Sequence, residues 1–274
     1  VSGSSAALGS FIVGFSGARF RAGIEGRWDR WFNIRLSRPS AVNKYAALHD
    51  ELLAPLGLRS AKRFPAIMLT PAEIAEGSER IAAMLPDGHG PIVGIFVGGR
   101  KSRGKRWPSA NFVELATGLR AHHARPIVFV GPEEMDLLSD LRFALADRVP
   151  LVFEPDIRKF ASAVASCDLF VACDSGPVHL ACALRVRTVA VFLKNNFDRW
   201  GPPPELASIV YRDAGVKVVD VLEACRAQLN GLWPQPLVEK IANRSCQGIG
   251  TMKTCRRAWL RHRLPRRRLE QIAD

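Results

Sequence analysis

The sequence predicts an α/β protein built on a parallel sheet with helices on both faces. Three observations carry that expectation. Short, continuous apolar runs recur at residues 92–97, 126–130, 151–153 and 169–173. Strands buried between two helix layers need that pattern, because both of their faces meet a core. Stretches with helical start and stop signals separate the runs, so strand and helix alternate along the chain. Polar, glycine-bearing segments directly follow several of the runs, and in such sheets ligands bind outside the carboxyl ends of the strands.

The bulk numbers bound the possibilities. The 274 residues, 47% of them hydrophobic, are enough for a real core and suit two domains better than one. Lys and Arg number 39 against 26 Asp and Glu, a net charge of +13. That balance points to an anionic partner: a nucleic acid, an anionic membrane or a phosphorylated substrate. The six cysteines form no C-x-x-C pair, and several sit in or beside apolar runs. They read as buried free thiols in a reducing compartment. No apolar stretch approaches the ~20 residues that span a bilayer, and no signal peptide is visible. The chain opens at Val1 with no complete first strand, so it is expected to be a fragment or a processed product.

The elements follow in order. Residues 39–57 read as a helix with Val42, Tyr45, Leu48, Leu52, Leu53 and Leu56 on one face and Gly57 as its stop. Thr70-Pro71-Ala72-Glu73 is a capping-box start with Pro at the first helical position, opening a helix to about Leu85. The strand at 92–97 comes next, then a helix from Pro108 carrying Phe112, Leu115 and Leu119. A strand at 126–130 leads into a helix from about Glu133, and a short strand at 151–153 into a helix over 157–166. Strand 169–173 and helix 176–184 follow, then runs at 189–192 and 216–219. From Pro236 onward ten Lys and Arg against three Asp and Glu give +7 of the total charge.

Two strand-end segments carry the chemistry. Residues 97–112, "VGGRKSRGKRWPSANF", place five cations in a glycine-bearing loop before a helix. Cations and helix amides suit phosphate, and glycine lets a backbone approach a ligand. The loop is not a Walker A motif, since Arg106 stands where the magnesium-binding hydroxyl belongs. A solvated basic loop accounts for the composition equally well. The second segment, "DLFVACDSGPVHLACAL" at 168–184, sets Asp174-Ser175-Gly176-Pro177 between a strand and a helix. Asp174 suits a plain helix N-cap as well as a ligand site. His179 alone reads as a core histidine, and Glu133 and Glu134 suit a helix N-terminus or a ribose. What favours a site is that these groups fall at the same sheet edge as the cationic loop.

"GGRKSRGKRWPSANFVELATGL", "VFVGPEEMDLL" and "DLFVACDSGPVHLACALRVRTVAVF", followed by "RWGP", resemble the carboxyl-terminal domain of glycosyltransferase family 9, the ADP-heptose:lipopolysaccharide heptosyltransferases. The resemblance covers roughly residues 90–203, and residues 4–58 resemble the later half of the family's amino-terminal domain. It implies a GT-B fold of two Rossmann-like lobes with parallel sheets, the amino-terminal lobe incomplete. Residues 1–70 would be part of the acceptor lobe, 71–222 the nucleotide-sugar lobe and 223–274 a basic tail. It implies that Lys105, with Arg100, contacts the donor diphosphate, and that Ser175 and Gly176 offer amides to it. Asp174 would hold donor-sugar hydroxyls, with His179 supporting that pocket, and Glu133 or Glu134 would take the ribose. The substrate would be an ADP-sugar, with no cofactor and no metal. The family's general base is an Asp that would lie upstream of Val1, so no base is assigned; Asp29 and His49 are an available acid and imidazole. After the strand at 189–192 the family has a Gly-Pro-Thr-like turn, where this chain reads Leu193-Lys194-Asn195-Asn196-Phe197.

Three function classes follow. The first is transfer of a heptose or related sugar from a nucleotide donor to a lipopolysaccharide-type, lipid-linked acceptor, inverting, in the cytoplasm or peripheral at the inner membrane. The second is a catalytically incomplete nucleotide-sugar-binding fragment. The third, nucleic-acid binding, is disfavoured, because the basic clusters lie far apart in sequence without interleaved aromatics. The basic tail suits an anionic membrane surface and a solvated tail equally.

Overall fold

A computed structural model describes residues 3–36, 57, 64–85 and 89–229. The expected helix over 39–57 and the basic segment from Pro236 lie outside these residues, Gly57 apart. The chain opens with α1 (Gly3–Phe15) and a two-stranded parallel pair, β1 (Ala22–Ile24) and β2 (Ile34–Leu36). Arg21 and Asn33 tie this segment together. The Arg21 amide donates to Asn33 Oδ1 at 2.8 Å, and Arg21 Nε donates to the Trp31 carbonyl at 3.0 Å.

A six-stranded parallel sheet follows, formed by β3 (Ile92–Phe96), β4 (Arg125–Val130), β5 (Leu151–Phe153), β6 (Leu169–Cys173), β7 (Arg187–Val191) and β8 (Ala207–Val210). Across the sheet their order is β5-β4-β3-β6-β7-β8. The winding therefore reverses between β3 and β6. Helices α2 (Pro71–Met84), α5 (Ile157–Ala165) and α6 (Gly176–Ala183) cover one face, and α3 (Ser109–Ala121), α4 (Leu138–Leu145) and α8 (Val218–Leu229) the other. One turn of helix, α7 (Phe197–Trp200), sits between β7 and β8. The central strands are buried after their first residues, which is why they read as apolar runs. Alternate residues divide between two cores: Val93, Ile95 and Val97 face the α3 side, while Phe96 joins Phe129, Phe160 and Phe170 on the other. Phe160 meets Phe129 edge-on at 5.5 Å and Phe170 at 6.2 Å. Each such ring, fully buried, contributes about 1.5–3 kcal/mol.

The capping box at Thr70 is present. Thr70 Oγ1 accepts from the Glu73 amide at 3.3 Å, and Glu73 Oε2 accepts from the Thr70 amide at 2.7 Å. Those bonds and Arg158 hold the Glu73 carboxyl down at about 2. Cys167, Cys173, Cys182 and Cys225 are buried free thiols, and burial pushes Cys173, Cys182 and Cys225 up to about 12.

Two expectations are corrected. The helix expected from Glu133 is a 3₁₀ stretch over Pro132–Leu137, with α4 starting only at Leu138. Glu134 leaves helical geometry (φ −112°, ψ 15°), and the Glu133 carbonyl is taken by Arg106 at 3.0 Å. The run at 216–219 is not a strand. Val218, Val221 and Cys225 are buried at helical spacing in α8, and Asp220 Oδ2 accepts the Lys217 amide at 2.9 Å. The sheet's sixth strand is instead β8, a four-residue segment too short to stand out by composition.

Helices α2 and α5 approach closely at Gly77. A methyl group placed there would lie 2.4 Å from the Ser162 carbonyl oxygen and 2.6 Å from its carbon. In an open helix Gly→Ala stabilises by about 1 kcal/mol. Here Gly77→Ala must separate two backbones, and a net loss of about 1–3 kcal/mol is expected from overpacking. Urea denaturation measures it; a gain in stability would show that the helices part freely.

Candidate functional site

The loop between β3 and α3 is anchored at its end. Trp107 is 2% exposed, donates from Nε1 to the Val216 carbonyl at 3.1 Å and stacks edge-on against Phe112 at 5.2 Å. Earlier, the Arg100 carbonyl accepts the amides of Arg103 at 2.9 Å and Lys105 at 3.3 Å, folding the loop into a turn. Lys105 is thereby held two residues from a buried tryptophan. Its Nζ forms an ion pair with Asp174 Oδ2.

Asp174 follows β6, and its amide donates to the Val191 carbonyl at 3.1 Å, which ties it to β7. The residue is 7% exposed. Besides Lys105, its Oδ2 accepts from Asn196 Nδ2 at 3.2 Å. Asp174 is therefore not the helix cap. The N-cap position of α6 belongs to Ser175, whose hydroxyl donates to the Cys173 carbonyl at 2.8 Å and accepts nothing from the helix. The first-turn amides of α6 carry no side-chain cap, and the space beside Gly176 is open. A helix start without a cap, beside a cation, is a place for an anion. His179, in the same first turn, is half-buried; burial holds its imidazole below the usual value, with Asp174 opposing that effect and Lys105 reinforcing it. Asp174, Lys105 and His179 thus share one electrostatic neighbourhood. It sits at the carboxyl ends of β3 and β6, where the winding reverses.

Arg106 ties this loop to the turn after β4. It donates to the Gly99 carbonyl at 3.2 Å, the Glu133 carbonyl at 3.0 Å and the Asp136 carboxylate at 2.9 Å, and approaches Glu134 at 3.6 Å. Glu134 is 4% exposed and accepts the Gly99 amide at 3.3 Å; burial raises its carboxyl above the usual range. Of the two candidates for a ribose, Glu134 is thus committed to the loop, and Glu133 is exposed at the sheet edge. The glycines serve the loop itself. A methyl group on Gly99 would lie 2.4 Å from the Lys105 carbonyl, so the loop closes on its own backbone there.

Arg100 is exposed, with no acidic partner among the described residues. Asp29 accepts the Gly26 amide at 3.3 Å within its own turn, away from the carboxyl ends of the six-stranded sheet in sequence and bonding; His49 lies outside the described residues. A shallow hollow lined by Val113, Thr117, Gly118, Asp140, Ala144 and Leu222 lies between α3, α4 and α8 and contains none of the sequence-predicted residues. Asn196 and Arg106 were not among those residues. Asn196 falls in the stretch where the chain departs from a Gly-Pro-Thr-like turn, which was the one available signal.

Removing one partner of a desolvated ion pair leaves the other charge buried, at a typical cost of 3–5 kcal/mol. Arg106→Ala is expected to destabilise by about 3 kcal/mol on that basis, and Glu134→Gln in the same background to restore part of the loss. Because the Glu134 carboxyl is raised in the folded state, its ionisation opposes folding as pH rises through its folded value. The cost of Arg106→Ala should therefore shrink at acid pH, where Glu134 is protonated. Denaturation of the wild type, Arg106→Ala and the double variant at acid and neutral pH measures both effects; equal costs at the two pH values would remove Glu134 from the account.

Comparison with known proteins places the chain in a family. Residues 6–225 match the model of glycosyltransferase family 9 (heptosyltransferase). Lipooligosaccharide heptosyltransferase 2 of Campylobacter jejuni serotype O:2 is 30% identical over 127 residues, 44% of this chain and 40% of that enzyme. Lipopolysaccharide heptosyltransferase 2 of Escherichia coli K12 is 24% identical over 245 residues, 83% of this chain and 69% of that enzyme. The chain thus spans about two fifths of the Campylobacter relative's length. Among solved structures, the fold matches E. coli ADP-heptose lps heptosyltransferase II with a TM-score of 0.65 at 19% identity, covering 81% of this chain and 73% of that one. It matches the family 9 glycosyl transferase of Veillonella parvula with a TM-score of 0.65 at 17% identity, over 81% and 70%. By the match over 6–225 and the α/β architecture common to these structures, the chain belongs to glycosyltransferase family 9.

Proposed function

We propose that this chain binds a nucleoside-diphosphate sugar at the carboxyl edge of its parallel sheet and serves transfer of a heptose or related sugar to a lipopolysaccharide-type, lipid-linked acceptor. The observation that carries the reading is the convergence of Lys105, Asp174 and the uncapped start of α6 at the point where the sheet's winding reverses. The names of the relatives supply the sugar and the acceptor class.

The roles follow from the chemistry of each group. Lys105 and the first-turn amides of α6 hold the diphosphate, with Arg100 at the loop surface near its path. Ser175 contributes backbone, since its hydroxyl is turned to Cys173. Asp174 keeps Oδ1 for a sugar hydroxyl while Oδ2 is held by Lys105 and Asn196. His179, kept neutral by burial, lines the same pocket, and Glu133 takes the ribose. In transfer the acceptor hydroxyl oxygen attacks the anomeric carbon as the bond from that carbon to the phosphate oxygen breaks. The departing diphosphate takes the electron pair, and the hydroxyl proton passes to a base. Fixed donors aimed at the leaving group are worth about 10²–10³ in rate each. Lys105 and the helix start supply that charge from the protein, so the reading requires neither metal nor cofactor. Residues 71–222 would act as the donor lobe. The acceptor lipid places the protein peripherally at the cytoplasmic side of a membrane; no helix among the described residues is long and apolar enough to cross one.

Two variants test the donor site. Lys105→Ala is expected to weaken ADP binding by about 1.5–3 kcal/mol through loss of a charge-assisted hydrogen bond, with adenosine affinity unchanged. Asp174→Asn is expected to leave ADP affinity nearly intact and to weaken the full sugar nucleotide. Calorimetry with adenosine, ADP and ADP-heptose reads both. Equal losses for adenosine and ADP in Lys105→Ala would contradict a phosphate role, and a collapse of stability in Asp174→Asn with ligand affinities unchanged would return Asp174 to a purely structural part.

A further inference from the structure

Strand β6 has two neighbours, β3 and β7, and the loop after each reaches over its carboxyl end. The β3 loop brings Lys105. The β7 loop brings Lys194, and its placement is built rather than incidental. Leu193 packs against the α3-side core. The Asn196 amide donates to the Lys194 carbonyl at 2.9 Å, closing a turn, and the Asn196 side chain is fastened to Asp174 at 3.2 Å. The backbone of Lys194 is therefore fixed relative to the very carboxylate that holds Lys105.

The Lys194 side chain then crosses to the opposite loop. Gly104, at φ +60°, turns the cationic loop in a conformation that disfavours other residues. A methyl group on Gly104 would lie 3.4 Å from Lys194 Cε and 3.6 Å from its Nζ. The ammonium thus rests beside Gly104, one residue from Lys105. Among the described residues no acidic side chain pairs with Lys194, whereas Lys105 has Asp174. Two ammonium groups, brought by the loops after β3 and β7, therefore stand at Gly104 and Lys105, and the carboxylate paired with Lys105 immediately precedes the uncapped start of α6. Such a surplus of positive charge in a crevice raises the local concentration of anions.

We propose that Lys194 is a second diphosphate-binding residue, gripping from the β7 side the group that Lys105 grips from the β3 side. The proposal rests on the reading of this edge as the donor site. It also gives a role to the Leu193-Lys194-Asn195-Asn196 stretch that follows β7. Asn196 sets the position and Lys194 supplies the charge.

The test is calorimetry of the chain with ADP and with adenosine, for the wild type, Lys105→Ala, Lys194→Ala and Lys194→Arg. Lys194→Ala is expected to weaken ADP about tenfold, the lower end for a hydrogen bond to a charged group. Adenosine should bind as before, and Lys194→Arg should stay within a few-fold of wild type. Lys194 is exposed, so its melting temperature should not move. Unchanged ADP affinity in Lys194→Ala, with Lys105→Ala impaired, would overturn this proposal and leave the donor-site reading standing. So would equal losses for ADP and adenosine. A wild-type chain with no affinity for ADP would overturn both.

Discussion

Right-handed crossovers carry successive parallel strands in one direction across a sheet, with the helices on one face. This chain lays β4 and β5 to one side of β3, then returns to place β6, β7 and β8 on the other. The loops after β3 and β6 consequently diverge to opposite faces and leave a crevice between them. The functional arrangement depends on that reversal. Lys105 and Asp174 stand 69 positions apart in sequence and meet because their strands are adjacent.

The crevice is furnished from both sides. Trp107 in the α3-side core and Arg106 across to the β4 turn hold the end of the cationic loop down, and Lys105 with it. Asn196 holds Asp174 from the β7 side. The first turn of α6 is left open, since Ser175 turns its hydroxyl away from the helix amides. The proposed anion site thus rests on a helix start that lacks the side-chain cap a helix ordinarily has, beside loops fixed by buried contacts.

Much of this was readable in the residues. Strands buried on both faces must be apolar without alternation, so 92–97, 126–130 and 169–173 announced themselves, and Thr70-Pro71-Ala72-Glu73 carried its capping chemistry locally. The misreadings share one cause. Residues 133–137 lose α-helical form because Arg106 claims the Glu133 carbonyl, and Arg106 lies 27 positions earlier. Val216–Val219 has the composition and alternating burial of a strand, and only the later buried residues, Val221 and Cys225 after Val218, show helical spacing. The division of labour between Glu133 and Glu134 follows from the Gly99 amide, 35 positions from Glu134. Apolar pattern and capping reveal elements; they do not reveal which loops meet, because that follows from strand order. The same limit hid Asn196 and Lys194, whose partners belong to other strands.

The central claim is that the Lys105–Asp174 crevice receives the donor diphosphate. Its most direct test is a crystal structure of the chain with ADP-heptose. The account predicts phosphate oxygens at the first turn of α6, with Lys105 Nζ moved from Asp174 onto them and the sugar hydroxyls toward the freed carboxylate. Ligand bound elsewhere, for example in the hollow between α3, α4 and α8, with the Lys105–Asp174 pair undisturbed, would contradict it.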